Sequence, residues 1–306
     1  MIVRDLVPEA MAGERVDRIV AMMTGISRSE VAELVDAGAV LVDGAVVRSR
    51  STRLASGVGV EVDLPDRAEA ARIEPDPGLV VPVVYEDDDL LVIDKPAGLV
   101  VHPGAGQRTG TLVHGLLARY PELVGVGADP ARPGIVHRLD KGTSGLLLVA
   151  RSPDAYTALV AALAARAVHR RYRALAWGTF DATRGLIDAP IGRSPREPTR
   201  QTIDERGKEA RTRYEVLTTF TEPVAVTELA CTLETGRTHQ IRVHLRSIGH
   251  PVVGDNRYDG ARQSLPMERP FLHAELLELA HPISGEPLSF SSAIPADLVE
   301  VLGRLR

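Results

Sequence analysis

Three segments of the chain are more polar than their apolar surroundings would lead one to expect: DKPAGLVVHPGAG at 94–106, GIVHRLDKGTSGLLLVA at 134–150 and LETGRTHQIRVH at 233–244. In the second, Arg138 and Asp140 are two residues apart, so in an extended stretch they share one side while His137 and Leu139 take the other. A carboxylate set between Ile135-Val136 and Leu146-Leu148 is costly unless a cation or hydrogen bonds hold it. The third segment supplies Arg237, Arg242 and Arg246 as candidate cations. A desolvated Asp fixed against an Arg is either a structural ion pair or a catalytic carboxylate. Spacing alone leaves both open.

Other site chemistries lack their residues. There is no Gly-x-x-x-x-Gly-Lys phosphate loop and no Gly-x-Gly-x-x-Gly opening a helix after a strand. Gly142-Thr143-Ser144-Gly145 is one residue short of a nucleophile elbow. His239 and His244 are not spaced as a zinc helix and lack its glutamate, and a single cysteine, Cys231, builds neither a disulfide nor a cysteine-rich zinc site. The expectation is a reaction run on side chains alone, with no metal and no cofactor.

These segments need a scaffold, and the patterning predicts one that is α+β. Val16, Ile19, Val20 and Met23 mark a helix over 14–23, and Ser27 with Glu30 reads as the capping box of a second. Asp43-Gly44 suits a tight hairpin turn, and a strand follows at 58–62. Residues 65–80, rich in Pro and Asp, read as a linker. Beyond it, strands are expected at VPVVYED, LLVIDKP, 146–149, 171–177, 212–220, 224–233, 271–279 and 287–292. Helices are expected from Ser152-Pro153, over 241–248 and from Asp297. The division is thus a small α+β domain at 1–64, a linker at 65–80 and a strand-rich α+β domain with few helices at 81–306.

The net charge of −5 argues at first against a nucleic-acid partner. By position it is −1 over 1–56, −9 over 57–94 and +5 over 95–306, so both flanks of the acidic connecting region remain able to meet phosphate. The run at 86–89 reads as a solvated hairpin turn. Only Lys95, Lys141 and Lys208 are lysines, and the remaining cations are arginines, which suit bidentate phosphate contact and stacking. No run of 18 apolar residues and no basic, apolar leader is present, so a soluble cytoplasmic protein, monomeric and without a membrane partner, is expected.

HRLDKGTSG resembles the signature of the RluA-type RNA pseudouridine synthases, and KPAGLVVHP and ETGRTHQIRVH resemble that family's other two motifs, in the family's order. The similarity continues through GHPVVGD (249–255) and HPISGEPL (281–288), covers roughly residues 80–300, and is nearest the RluD-like branch, which modifies large-subunit ribosomal RNA. GERVDRIV and SRSEVAELVDAGAVLVDG resemble the S-four-type RNA-binding domain. The resemblance implies a catalytic domain on a mixed, mainly antiparallel sheet, preceded by a small α+β RNA-binding domain. The partner is structured RNA, large-subunit ribosomal RNA or its assembly precursor.

By the same resemblance Asp140 is the catalytic aspartate and Arg138 the residue that enters the RNA helix as the target nucleotide flips out. Tyr172 stacks on the flipped base, with Arg170 standing where the family more often has Lys. Arg242 pairs with the catalytic carboxylate, and Ile241 lines the site. His137 shapes the loop beside the substrate. Lys95 reads as structural. Arg15, Arg28, Arg48, Arg50 and Arg53 are the candidate phosphate contacts of the N-terminal domain. Isomerising uridine to pseudouridine adds and removes nothing, which fits a site without cofactor or metal. The alternatives are a non-catalytic RNA-binding or ribosome-assembly factor that keeps the fold, and a glycosidase needing a second carboxylate, for which Glu234 is the nearest candidate.

Overall fold

The computed structural model describes residues 2–26, 28–64, 73–104, 106–197 and 199–306. The chain divides between residues 72 and 73 into two compact units.

In the first unit, β1 (Ile2–Leu6), α1 (Val16–Thr24), α2 (Arg28–Asp36), β2 (Val40–Val42), β3 (Ala45–Val46) and β4 (Gly59–Asp63) follow in order. The strands form an antiparallel sheet in the order β1-β4-β2-β3. Asp43-Gly44 makes the β2–β3 turn, both residues in the left-handed region. Val16, Ile19 and Val20 of α1 close onto Val31 and Val35 of α2 and Val40 and Val62 of the sheet, with solvent excluded. The pairing of β1 with β4 was not among the strands expected. Ser27, expected as a helix cap, lies outside the described residues.

The second unit carries β5 (Val83–Glu86), β6 (Leu90–Lys95), α3 (Leu112–Arg119), β7 (Ser144–Ala150), α4 (Pro153–Ala164), β8 (His169–Trp177) and β9 (Arg184–Asp188). It continues with β10 (Ile191–Arg193), β11 (Gln201–Ile203), β12 (Arg211–Phe220), β13 (Val226–Leu233), α5 (Gln240–Ser247), β14 (Leu272–Ala280), β15 (Pro287–Ser291) and α6 (Ala296–Leu302). Nine strands form one sheet in the order β5-β6-β7-β14-β8-β13-β12-β9, with β15 added on β14 and β10–β11 as a separate hairpin. Among the described strands, only β7 and β14 run parallel. The architecture is the α+β class expected from the patterning.

The run Leu146-Leu147-Leu148-Val149 is buried on both faces of β7. Leu147 and Val149 pack with Leu91, Ile93 and the apolar side of α3, while Leu146 and Leu148 pack with Leu90, Val92 and the α4 residues Ala155 and Leu159. Ser152 caps α4 by accepting the Ala155 amide, and Pro153 occupies its first turn. At the start of β7, Gly145 has a φ of +107°, and a Cβ there would lie 2.2 Å from the Ala274 carbonyl oxygen. Only glycine lets β7 approach β14 at this point.

Three expectations need correction. Residues 134–140, expected as an extended stretch, are irregular, with a single bridge from Ile135 to Val149. Residues 73–80 are not free linker: Ile73 and Leu79 pack on the core beneath α3, and the Asp76 amide bonds the His114 carbonyl. The acidic turn at 86–89 is a bonding hub rather than a solvated loop. Asp87 accepts the amides of Asp89 and Leu90, the Tyr85 hydroxyl and a ring nitrogen of His281, and Glu86 accepts the Tyr120 hydroxyl. Its clustered charge is neutralised by these donors and by Arg119 and Arg151.

Candidate active site

Asp140 sits in the turn that leads into β7, and that turn is held from several sides. The Gly98 amide donates to the Lys141 carbonyl at 2.7 Å, and Arg269 donates to the Gly142 carbonyl at 3.2 Å while gripping Asp297 of α6 with two bonds. Ser144 Oγ lies 3.0 Å from His273 Nδ1 on β14. His137 Nε2 accepts the Leu148 amide at 3.0 Å. Burial, reinforced by the nearby Arg170 charge, lowers the His137 pKa to about 3, so the ring is neutral and fixes the loop as an acceptor. Fully buried Lys95 donates to the carbonyls of Pro96 and Leu99, and burial lowers its pKa to about 7 against the opposing pull of Asp140.

Arg242, in the first turns of α5, reaches Asp140 Oδ2 through Nη1 at 3.0 Å. Its Nε and Nη2 donate to the two oxygens of Asp255 at 2.6 and 2.8 Å. Burial alone would depress this guanidinium, but hydrogen bonding to Asp255 and the charges of both carboxylates carry it above its ordinary value. The Tyr258 ring lies under the guanidinium, 5.0 Å from its carbon. Asp255 is entirely buried and also accepts the amides of Arg257 and Tyr258. His239, with a left-handed backbone at the start of α5, places Nδ1 2.8 Å from the Tyr258 hydroxyl and Nε2 3.9 Å from Asp140 Oδ1. Burial lowers its pKa, so it adds no full charge to the cluster.

A cavity of about 580 Å³ opens over this arrangement, and Asp140, Tyr172, Arg242, Arg138, Ile241, His137 and Arg170 all line it. Tyr172 comes from the middle of β8, buried, its phenol pushed above the ordinary pKa by desolvation. Arg170, two residues earlier on the same face of β8, is 7% exposed, and burial lowers its pKa. Arg138 is exposed at the rim. Glu234 lines the same cavity, but its carboxylate is taken by Arg213 at 2.6 Å and Arg166 at 3.4 Å, which removes it as a free second acid.

In the N-terminal unit, Arg15 and Arg28 both bond Asp17, and Arg53 donates to the Gly13 carbonyl. Arg48 and Arg50 are exposed, with no side-chain bond among the described residues.

Asp255, Tyr258 and Arg269 were not singled out from the sequence, and His239 was weighed only as a zinc ligand. The one available signal was a buried-type carboxylate, Asp255, at the end of GHPVVGD, and its partner lies 13 residues away.

The RNA pseudouridylate synthase family model matches residues 89–247, and the S4 domain model matches 14–60. Ribosomal large subunit pseudouridine synthase D of Xanthomonas campestris pv. campestris is 45% identical, over 98% of this chain and 92% of that protein. An uncharacterized RNA pseudouridine synthase of Bacillus subtilis is 41% identical, over 97% and 96%. Among solved structures, human RNA pseudouridylate synthase domain containing 1 superposes with a TM-score of 0.56 at 29% identity, over 72% of this chain and 86% of that one.

Proposed function

Because the chain belongs to the RNA pseudouridylate synthase family, we propose that it isomerises specific uridines of large-subunit ribosomal RNA, or of its assembly precursor, to pseudouridine. Asp140 is the catalytic carboxylate. The observation that supports this most is the sharing of Arg242: Asp255 uses both oxygens on it, whereas Asp140, which lines the cavity, uses only Oδ2, and its Oδ1 takes no hydrogen bond among the described residues. A purely structural pair would have no reason to leave one carboxylate oxygen without a donor at the wall of a cavity.

The reacting atoms of a uridine are inaccessible within a stacked helix, so the nucleotide must be extruded. Arg138, exposed at the rim, takes the vacated place in the stack, and Tyr172 offers the extruded base an aromatic face. Arg242 compensates the charge of Asp140 and fixes its direction. Arg48 and Arg50 of the N-terminal unit contact phosphate, with Arg15, Arg28 and Arg53 adding to the same basic surface. On this reading the protein works as a monomer in the cytoplasm, on RNA rather than at a membrane.

The test is to incubate the protein and Asp140→Ala with undermodified large-subunit ribosomal RNA and to map pseudouridines. New pseudouridine from the wild type, and none from the variant, is the expected result. Equal activity in the variant, or none in the wild type, overturns the reading.

A further inference from the structure

Two arginines buried to the same degree line the cavity, and their surroundings are opposite. Arg242 and Arg170 are each 7% exposed. Arg242 makes three bonds to two carboxylates. The side chain of Arg170 makes no hydrogen bond or ion pair among the described residues, and its Nε is shut away from water without an acceptor. The two strands that flank β8 do supply acids. Arg171 and Arg173, on the opposite face of β8, are paired with Glu275 and Glu228. The cavity face lacks such a partner for Arg170, and a buried unpaired charge costs stability. That cost persists where the missing counter-charge arrives with the substrate.

We propose that Arg170 is a catalytic residue that holds the uracil ring of the extruded nucleotide and stabilises the negative charge the ring carries while it is detached from the ribose. This rests on the uridine-isomerising reading above. When the C1′–N1 bond breaks, its electron pair leaves on N1, and the charge spreads over the ring and its two carbonyl oxygens. Asp140 meets the sugar's electron deficiency, either by taking the C2′ proton or by bonding C1′. The ring then turns, and a C5 electron pair forms the C1′–C5 bond. Asp140 returns the C2′ proton or is released from C1′. The C5 proton is lost to solvent and N1 gains one, so the product is an isomer of the substrate. Between the two bond changes the uracil is an anion, the species an unpaired guanidinium would bind in preference to neutral uridine.

Position favours the base over the phosphate as the ligand. Arg170 is two residues from Tyr172 on the same face, about 6–7 Å along the strand, which puts it within the span of a ring stacked on that tyrosine. A phosphate stays with the RNA backbone at the mouth, where exposed Arg138 and Arg132 stand. Gly236 shapes the slot: a Cβ there would come 2.8 Å from Arg170 Nη1.

The test uses the full chain and an RNA that the wild type converts. Arg170→Gln should lower the single-turnover rate about 10²–10³-fold, with RNA affinity changed by no more than about 3-fold and a melting temperature at or above that of the wild type. Arg170→Lys should recover part of the rate. Gly236→Ala, which displaces the guanidinium without removing it, should fall between wild type and Arg170→Gln. In RNA carrying 5-fluorouridine, whose detached ring is a more stable anion, loss of the fluorouridine should be slowed less by Arg170→Gln than conversion of uridine is. A wild-type rate in Arg170→Gln overturns the assignment, as does a loss of affinity equal to the loss of rate, which marks a phosphate contact. A fall in melting temperature with the same slowing on both RNAs marks a structural cation and overturns it too. If the wild type converts uridine and Arg170→Gln does so equally well, only the role of Arg170 fails. If the wild type converts none, the underlying reading fails with it.

Discussion

In the N-terminal unit one buried carboxylate, Asp17, is shared by two arginines, whereas in the catalytic unit one buried guanidinium, Arg242, is shared by two carboxylates. The first cluster leaves a surplus cation and the second a surplus anion. In the first, the surplus is carried by Arg15 and Arg28, whose side chains are 39% and 57% exposed, so water screens it. In the second, Asp255 is fully enclosed and the surplus falls on Asp140, at the wall of the cavity. A cluster can therefore be tied together by hydrogen bonds and still present a net charge. Which side chain bears it is decided by which one the fold leaves partly open.

The largest effect should come from removing that open charge. Asp140→Ala is expected to cut pseudouridine formation by about 10⁴-fold or more, the upper range for a positioned acid–base group, with RNA binding retained in a filter or gel assay. Retained activity would place the surplus anion elsewhere.

Equivalent substitutions at the closed carboxylates should separate the two clusters. Asp255→Asn leaves a buried guanidinium half-compensated and is expected to cost about 3–5 kcal/mol in urea unfolding, and to lower turnover by loosening Arg242. Asp17→Asn leaves two arginines that water can reach, and about 1 kcal/mol is expected. Equal costs would break the comparison.

Acid should then affect the units unequally. Burial, helped by nearby Arg132 and Arg138, lowers the His102 pKa from 6.5 to about 4, and His137 falls to about 3. Unfolded histidines take up protons near pH 6.5 and these two do not, so the unfolded state binds more protons below that pH. The catalytic unit therefore loses stability as pH falls from about 6.5 toward 4. Residues 1–64 contain no histidine. Asp17 would be raised by its burial, yet its bonds to Arg15 and Arg28 hold it below its ordinary 3.8, so that contribution is lost only under stronger acid. The single tryptophan, Trp177, reports on the catalytic unit, and amide exchange in α1 reports on the other. Parallel losses between pH 6.5 and 4 would count against this account.

The smallest effects belong to the unbonded surface arginines. Arg48→Ala and Arg50→Ala should each weaken RNA binding a few-fold and reduce the salt slope by about 1, with the single-turnover rate at saturation unchanged. An unchanged slope would show that these side chains do not meet phosphate.

Local chemistry made much of this legible in the sequence. The Asp43-Gly44 turn, the Ser152-Pro153 helix start and the two-sided apolar run of β7 are each specified by neighbouring residues, and each stands where the pattern put it. What stayed hidden is non-local. β1 is a strand because β4, more than 50 residues on, pairs with it. α3 contains Gly115, which reads as a breaker. It lies where a Cβ would strike Leu79 at 2.6 Å, so the helix depends on its packing partner rather than on propensity. The motif residues Asp140, Tyr172 and Arg242 were visible as types in context, but Asp255 became visible only once the chain had brought it against Arg242. The unpaired state of Arg170 is a property of its surroundings and has no signature in sequence.

The place of β14 has a consequence for how the enzyme is made. Asp140 precedes β7 and Tyr172 lies on β8, and the strand between them in the sheet is β14, built from residues 272–280. During vectorial synthesis the two halves of the site are therefore complete long before the piece that spaces them exists. Until it inserts, β7 and β8 each present an open edge, and the closing contacts are remote in sequence and slow to form. Catalytic competence is thus a late event in the life of each chain, and a nascent chain that stalls before Leu272 carries Asp140 and Tyr172 without the strand that holds them in register.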